Sequence, residues 1–268
     1  MASSIATGSL EHYKIGPLPS LYLIPDYISH SMGQHFLTNI LATQSGWKHV
    51  SGRRLLNIGG VVSSKGSLLQ APMPSWGLQS LITEISGNFH LYGGAPANHV
   101  LINSYSPGQG IMSHQDGPLY CPVVAILSLG APAIIRFTKK RKLVDDDGTE
   151  EEEVPSHSNV AKNCSRSDVL ATVSVVLPPR SLFIFKDDAY EQYLHGIDFV
   201  EEEIVDDSVV NPQAENQKFQ GSGRGDGEMA AEATIATVAP PVLKRDGTRV
   251  SLTIRRVLKV HNLGLLRR

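Results

Sequence analysis

Arg249-Val250-Ser251-Leu252-Thr253-Ile254-Arg255 alternates without a break, with Arg, Ser, Thr and Arg on one side and Val, Leu and Ile on the other. Successive side chains of an extended strand point to opposite faces, so the pattern predicts a half-buried β-strand. The Val/Leu/Ile face is expected to bury against a second sheet. The opposite face then lines a cavity with two guanidinium groups and two hydroxyls. A cavity-lining arginine needs an anion, and its planar fork suits a carboxylate through two parallel hydrogen bonds. A dicarboxylate would meet a guanidinium at each end of this strip. The plainer alternative is an edge strand whose arginines are solvated.

Similar short apolar runs, punctuated by Gly and Pro, recur at 99–105, 123–129, 133–138, 173–177 and 181–185. Many short strands in this arrangement predict a mainly β domain, a sandwich or barrel. Long helices between the strands are lacking, which argues against a parallel doubly wound sheet. Helices are expected over roughly 30–44, with Asp26 and Ser29 as possible caps, and near 76–86. The expected division is an N-terminal extension and lid over 1–96 and a strand-rich core over 97–260. Residues 139–168 and 201–247 are polar and poor in aromatic side chains, and read as disordered insertions between strands of a single domain.

With 268 residues, 41% of them hydrophobic, the chain can bury a sizeable core. No apolar run suits a membrane span, and the first residues lack a basic region followed by an apolar core, so neither a membrane anchor nor a secretory signal is expected. Cys121 and Cys164 make no disulfide framework, which fits an intracellular protein of the nucleus or cytoplasm. Lys139-Lys140-Arg141-Lys142 could serve as a nuclear-localisation patch, or simply be solvated. The net charge of −2 conceals a partition: Asp145–Asp147 and Glu150–Glu153 supply seven acidic groups, and Glu201–Glu203, Asp206 and Asp207 five more, so the rest of the chain carries +10. A basic body is compatible with a polyanionic partner.

Ser113-His114-Gln115-Asp116-Gly117-Pro118 follows a predicted strand and a glycine-bearing loop. Two residues apart in extended chain, His114 and Asp116 can offer an imidazole and a carboxylate to one metal ion. With ten histidines and thirteen aspartates in the chain, such a pair arises readily by chance and is more often a surface turn. His195, in Tyr193-Leu194-His195-Gly196-Ile197, sits at the edge of an apolar element and taken alone reads as a core histidine. Together, two histidines and a carboxylate on one face of an iron leave three positions for a co-substrate and oxygen. Asn103 and Tyr105 share a face just ahead of these residues and suit a carboxylate and a keto-acid oxygen.

The motifs N-x-Y-x-P-G (103–108), H-x-D (114–116), VVAILSLGAPAIIRF (123–137), LHGI (194–197) and R-V-S-L-T-I-R (249–255), in this order, resemble the AlkB family of Fe(II)/2-oxoglutarate dioxygenases. SGRRLLNIGG (51–60) and HQDGPLY (114–120) look closest to its sixth AlkB-homologue subgroup. The resemblance implies a double-stranded β-helix, or jelly roll, with flanking helices. It implies Fe(II) on His114, Asp116 and His195, with 2-oxoglutarate and O2 as co-substrates. By position, Arg249 would bind the distal carboxylate of 2-oxoglutarate, assisted by Tyr105 and Asn103. Arg255 would stand near the keto-acid end, with Ser251 and Thr253 on the same strip. Ser251 stands where the family more often has Asn.

The substrate implied is a methylated base in RNA or single-stranded nucleic acid, flipped out of any stack and demethylated with loss of formaldehyde. Trp47, Arg53 and Arg54 are the candidate substrate contacts in the lid. Two departures weigh against simple inheritance. Nucleic-acid repair members carry an acidic residue two positions after the metal aspartate, where this chain has Pro118, and a second lid aromatic, where it has Arg54. Oxidation of protein side chains and RNA binding with little turnover are the alternatives.

Overall fold

A computed structural model of the chain describes residues 9–140, 142–144, 150–152, 172–213 and 240–261. Its first part forms β1 (Leu21–Ile24), α1 (His30–Ala42), β2 (Lys48–Val50), β3 (Arg53–Ile58), β4 (Gly60–Val62), β5 (Leu68–Gln70) and α2 (Leu78–Asn88). There follow β6 (His99–Tyr105), β7 (Ile111–His114), β8 (Val123–Gly130), β9 (Ala133–Lys139), β10 (Lys142–Val144) and β11 (Glu150–Glu152). The last part holds β12 (Thr172–Leu177), β13 (Leu182–Lys186), α3 (Asp187–Glu191), β14 (Tyr193–Ile197), β15 (Glu202–Ile204), β16 (Val242–Lys244), β17 (Arg249–Arg255) and β18 (Val260–His261). Ser29 caps α1, accepting from the Met32 amide at 3.2 Å, whereas Asp26 takes the left-handed region and accepts from Arg180 instead.

Two antiparallel sheets dominate. The larger runs β1-β13-β8-β17-β6-β3-β2 and the smaller β12-β9-β14-β7. The arginine strand β17 lies in the middle of the larger sheet, hydrogen-bonded to β6 and β8, which excludes the edge-strand reading. Val124 and Ile126 of β8, with Phe183 and Phe185 of β13, meet Ile135, Phe137, Val173 and Val175 of the smaller sheet. These side chains interdigitate into the core expected of a two-sheet sandwich.

The other face of the larger sheet is also covered. Val250, Leu252 and Ile254 pack with Phe36 and Ile40 of α1 and Leu78, Leu81, Ile82 and Ile85 of α2. The apolar face of β17 therefore buries against helices, and it is the polar face that looks toward the second sheet. This corrects the expectation from sequence. Because both faces are buried, β8 reads as a continuous apolar run rather than an alternation.

The strands of the first 96 residues are built into this architecture, β1, β2 and β3 belonging to the larger sheet. The reading of 201–247 as wholly unpacked is also corrected. β15 pairs with β16, and Leu243, Val205 and Val209 cover Ile134 and Val176 on the outer face of the smaller sheet. Glu203 and Arg245 are buried there. Of 139–168, the described residues include β10 paired with β11. The remainder, with Arg141 of the basic patch, Asp145–Asp147, Glu153 and Cys164, lies outside the described residues. Among the described residues no helix is long and apolar enough to cross a membrane.

Candidate active site

At one end of the sandwich a cavity opens between the sheets. It is lined by all nine residues that the sequence indicated for metal and co-substrate: Asn103, Tyr105, His114, Asp116, His195, Arg249, Ser251, Thr253 and Arg255. Arg53 lines it as well. The nine come from β6 and β17 of the larger sheet, β7 and β14 of the smaller, and the loop after β7. No single stretch of chain holds them.

β7 and β14 place His114 directly opposite His195, with ring centroids 4.4 Å apart. Gly196 permits this approach, since a Cβ there would stand 2.9 Å from the Ile111 carbonyl oxygen and the Ser113 amide nitrogen. Asp116 returns from the loop so that one ligand atom from each of His114, Asp116 and His195 lies within 4.8 Å of the others. His114 Nδ1 lies 2.9 Å from the Met112 carbonyl oxygen, which can only accept. The proton therefore sits on Nδ1, and Nε2 keeps the lone pair a metal needs. His195 is held neutral, its pKa pushed down to about 3 by burial and then by His114.

Asp116 Oδ1 accepts from Arg255 Nη1 at 2.5 Å, while Oδ2 is buried without a partner. A buried carboxylate oxygen without a donor is costly unless a cation completes it. Arg255 is itself fixed, its guanidinium lying 4.1 Å above the Tyr120 ring. The loop is latched to α3: the Gln115 amide donates to the Tyr190 and Glu191 carbonyls at 3.1 and 3.3 Å, and the Tyr190 hydroxyl donates to the Gly117 carbonyl at 3.0 Å.

At the far end, Arg249 is 1% exposed and donates from Nη2 to Ser128 Oγ at 3.2 Å. Its Nε and Nη1 are buried without partners. Burial lowers its pKa to about 10. Tyr105, opposite Arg249 in register, is a buried phenol whose pKa burial raises, so it remains a hydrogen-bond donor. A guanidinium with two bare nitrogens beside a phenol is a ready receptor for a carboxylate. Between the two ends, Asn103 Nδ2 reaches Thr253 Oγ1 at 3.5 Å, and Ser251 pairs in register with Asn103. The unpaired atoms at both ends fit an iron at the triad and a dicarboxylate along the strip.

Of the three lid residues, only Arg53 reaches the cavity. Its Nε donates to Asn103 Oδ1 at 2.9 Å. Arg54 is the next residue along β3 and points to the helix side, its guanidinium 4.9 Å over the Trp47 ring. Trp47 packs on the helix-side core and donates its indole N–H to the Thr43 carbonyl at 2.9 Å. Neither lines the cavity: strand alternation turns Arg54 to the side opposite Arg53, and Trp47, just before β2, is held on the helix-side core.

Sequence reasoning missed Ser128, and it missed Phe199. The ring of Phe199, 46% exposed, lies against Gly52 in the turn before Arg53. It also missed the buried pair Glu203 and Arg245. Arg245 donates to the carbonyls of Asp198, Val200 and Gln109 at 2.7, 3.1 and 2.5 Å. Glu203 Oε1 accepts from the Ile134 amide at 3.1 Å and lies 3.8 Å from Arg245. Three segments that border the cavity are thereby tied together. Burial raises the pKa of Glu203.

Residues 67–255 match the family model described as 2OG-Fe(II) oxygenase superfamily. The chain is 35% identical over 248 residues, covering 92% of it and 89% of the relative, to a zebrafish (Danio rerio) protein named "Probable RNA/DNA demethylase ALKBH6". It is 30% identical over 101 residues, 37% of the chain, to the uncharacterized protein L905 of Acanthamoeba polyphaga mimivirus, covering 36% of that protein. Among solved structures, that titled "The structure of OsALKBH1" superposes with a TM-score of 0.50 at 15% identity, covering 91% of this chain and 100% of that one, and so shares its fold. The chain belongs to the AlkB family of the 2OG-Fe(II) oxygenase superfamily. It is an oxygenase whose cofactors are Fe(II) and 2-oxoglutarate.

Proposed function

We propose that His114, Asp116 and His195 hold the iron, that Arg249 with Tyr105 and Ser128 binds the distal carboxylate of 2-oxoglutarate, and that the enzyme demethylates bases in RNA or other single-stranded nucleic acid. The observation that carries this reading is the pairing, in one cavity, of the partnerless Asp116 Oδ2 with a buried, half-bare Arg249. Each lacks a partner that the other end of a metal-bound dicarboxylate system would supply. Iron with 2-oxoglutarate and oxygen supplies the oxidation of a substrate C–H bond. The protein's own part is to orient and to exclude water. Arg255 fixes Asp116, the Met112 carbonyl fixes the His114 tautomer, and the sandwich core closes the inner end of the cavity.

The substrate class is supported by the name of the zebrafish relative, by the basic body of the chain, and by Arg53 at the cavity. Pro118 in place of an acidic base contact, and Trp47 turned toward the helices, favour protein side chains as the second reading. Formaldehyde release from methylated oligonucleotides, set against methylated peptides, tests the assignment. Succinate formed without substrate is expected and separates an oxygenase from a binding module. Release from peptides alone would overturn the nucleic-acid reading.

A further inference from the structure

The two histidines of the site stand on strands that are held unequally. β14 pairs with β9 in unbroken register from Tyr193↔Lys139 to Gly196↔Arg136. β7 lies at the edge of the smaller sheet, with β14 as its one neighbour there. That pairing is irregular, its register shifting between His195↔His114 and Ile197↔Ile111. So short and disrupted a ladder leaves the placing of His114 against His195 to the two ends of β7. Beyond His114, the Gln115 amide latches the chain to α3. At the other end the chain enters β7 through Gln109 and Gly110, and it leaves β14 through Asp198, Phe199 and Val200.

Arg245 joins those two passages. Its Nη2 donates to the Gln109 carbonyl, and its Nη1 to the carbonyls of Asp198 and Val200. Gly110 lets the passages meet, since a Cβ there would stand 2.7 Å from the Asp198 carbonyl oxygen. The guanidinium is itself fixed. It is buried, its backbone amide donates to the Glu201 carbonyl at 2.8 Å, and the buried Glu203 carboxylate lies 3.8 Å away. The Ile134 amide of β9 holds Glu203 in turn. A planar fork on three carbonyls fixes their mutual spacing, which a single ammonium does not. Arg245 is not among the residues that line the cavity, so it acts on the site through the strands.

We infer that Arg245, oriented by Glu203, is a positioning residue for the iron site. By fixing where β7 begins against where β14 ends, it sets the spacing of His114 and His195. The inference rests on the assignment of iron to His114, Asp116 and His195.

The test uses the full metal-free chain and cobalt(II), which takes the same donors as iron(II) and whose visible absorption reports how its ligands are arranged. Arg245→Lys keeps a cation beside Glu203 and loses the fork. It is expected to bind cobalt(II) about tenfold or more weakly, with an altered visible spectrum. Leu243→Ala, in the same strand pair, removes a buried contact with Ile134 and Val176 and leaves the guanidinium in place. It should lower the melting temperature yet keep the wild-type affinity and spectrum, with all proteins measured well below their melting temperatures. Wild-type affinity and spectrum in Arg245→Lys would overturn the inference. So would an equal loss in Leu243→Ala, because the fork would then matter only to folding. Should Arg245→Lys fail to fold, Glu203→Gln gives the same two readings, since it keeps an acceptor for Ile134 and loses the charge facing Arg245. His114→Ala separates the assignment beneath. If it binds cobalt(II) like the wild type, the iron reading fails and this inference with it. If it loses the metal while Arg245→Lys keeps it, only this inference fails.

Discussion

Arg249 and Asp116 show how differently two buried charges can behave on mutation. Arg249 has two bare nitrogens, so Arg249→Met removes an unpaired cation from the interior. The variant should melt no lower than the wild type in the absence of co-substrate. It should lose the rise in melting temperature caused by 2-oxoglutarate, and its KM for 2-oxoglutarate should rise by the equivalent of roughly 3–5 kcal/mol. An unchanged KM would mean that another residue holds the distal carboxylate. Asp116 is instead the partner of a buried arginine. Asp116→Ala should abolish iron binding and also destabilise the apoprotein, by about 3–5 kcal/mol, because Arg255 is left unpaired. His114→Ala should abolish iron binding with little loss of stability, since its ring is half-exposed. Denaturation curves of the two metal-free variants would separate these outcomes.

Among the elements, the pair β15–β16 carries charges of two kinds. Glu203 is locked to Ile134 and Arg245, so Arg245→Met should strand three carbonyls and a buried carboxylate and lower stability by several kcal/mol, on the order of the loss for a broken buried pair. Glu201, Glu202 and Asp207 are exposed. Neutralising these three should tighten RNA binding at low salt and change little at high salt, where screening removes the repulsion. Titration at two ionic strengths checks this. An affinity unchanged at both would place these charges away from the path of the polyanion. On β6, burial and then Arg255 push the His99 pKa down to about 4 from the ordinary 6.5. A histidine kept neutral in the fold binds fewer protons than in the unfolded chain. Its stabilising contribution is therefore complete above pH 6.5 and is lost as pH falls toward 4. The melting temperature of the apoprotein should fall across that window, and less steeply in His99→Gln.

For the molecule as a whole, three layers decide where the cavity can be: helices, the larger sheet and the smaller sheet. Residues 213 and 240, which flank the undescribed stretch 214–239, adjoin segments anchored by their own contacts. The Asn211 side chain bonds both the amide and the carbonyl of Val176, and β16 pairs with β15. Replacing 214–239 with a short Gly/Ser linker should leave iron and 2-oxoglutarate binding unchanged, because closure cost grows slowly with loop length. Loss of either binding activity would show that the stretch contributes to the site.

The sequence by itself determined the strand alternation of 249–255, the β-rich class, the two main helices, and the nine residues that share the cavity. Side-chain direction in a strand has a period of two, and the alternation, the class and the helices follow from such local periods and from spacing, whereas the grouping of the nine residues was what the family resemblance implied. Tertiary structure alone decided which partner each face would meet. The Val/Leu/Ile face of β17 packs on helices because the larger sheet is covered on both sides, a fact no single strand encodes. Trp47 and Arg54 sat plausibly in a lid, but Trp47, just before β2, packs on the helix-side core and Arg54 of β3 stacks on it, which leaves Arg53 alone of the three at the cavity. Glu203 stands in the acidic run 201–203 and Arg245 between Lys244 and Asp246, yet Ile204 and Val242 are exposed and the two charges are buried. Opposite charges 42 residues apart, as Glu203 and Arg245 are, can share a buried site only once both are brought together. That pairing inverts the usual polarity of the pattern and leaves no trace in either segment alone.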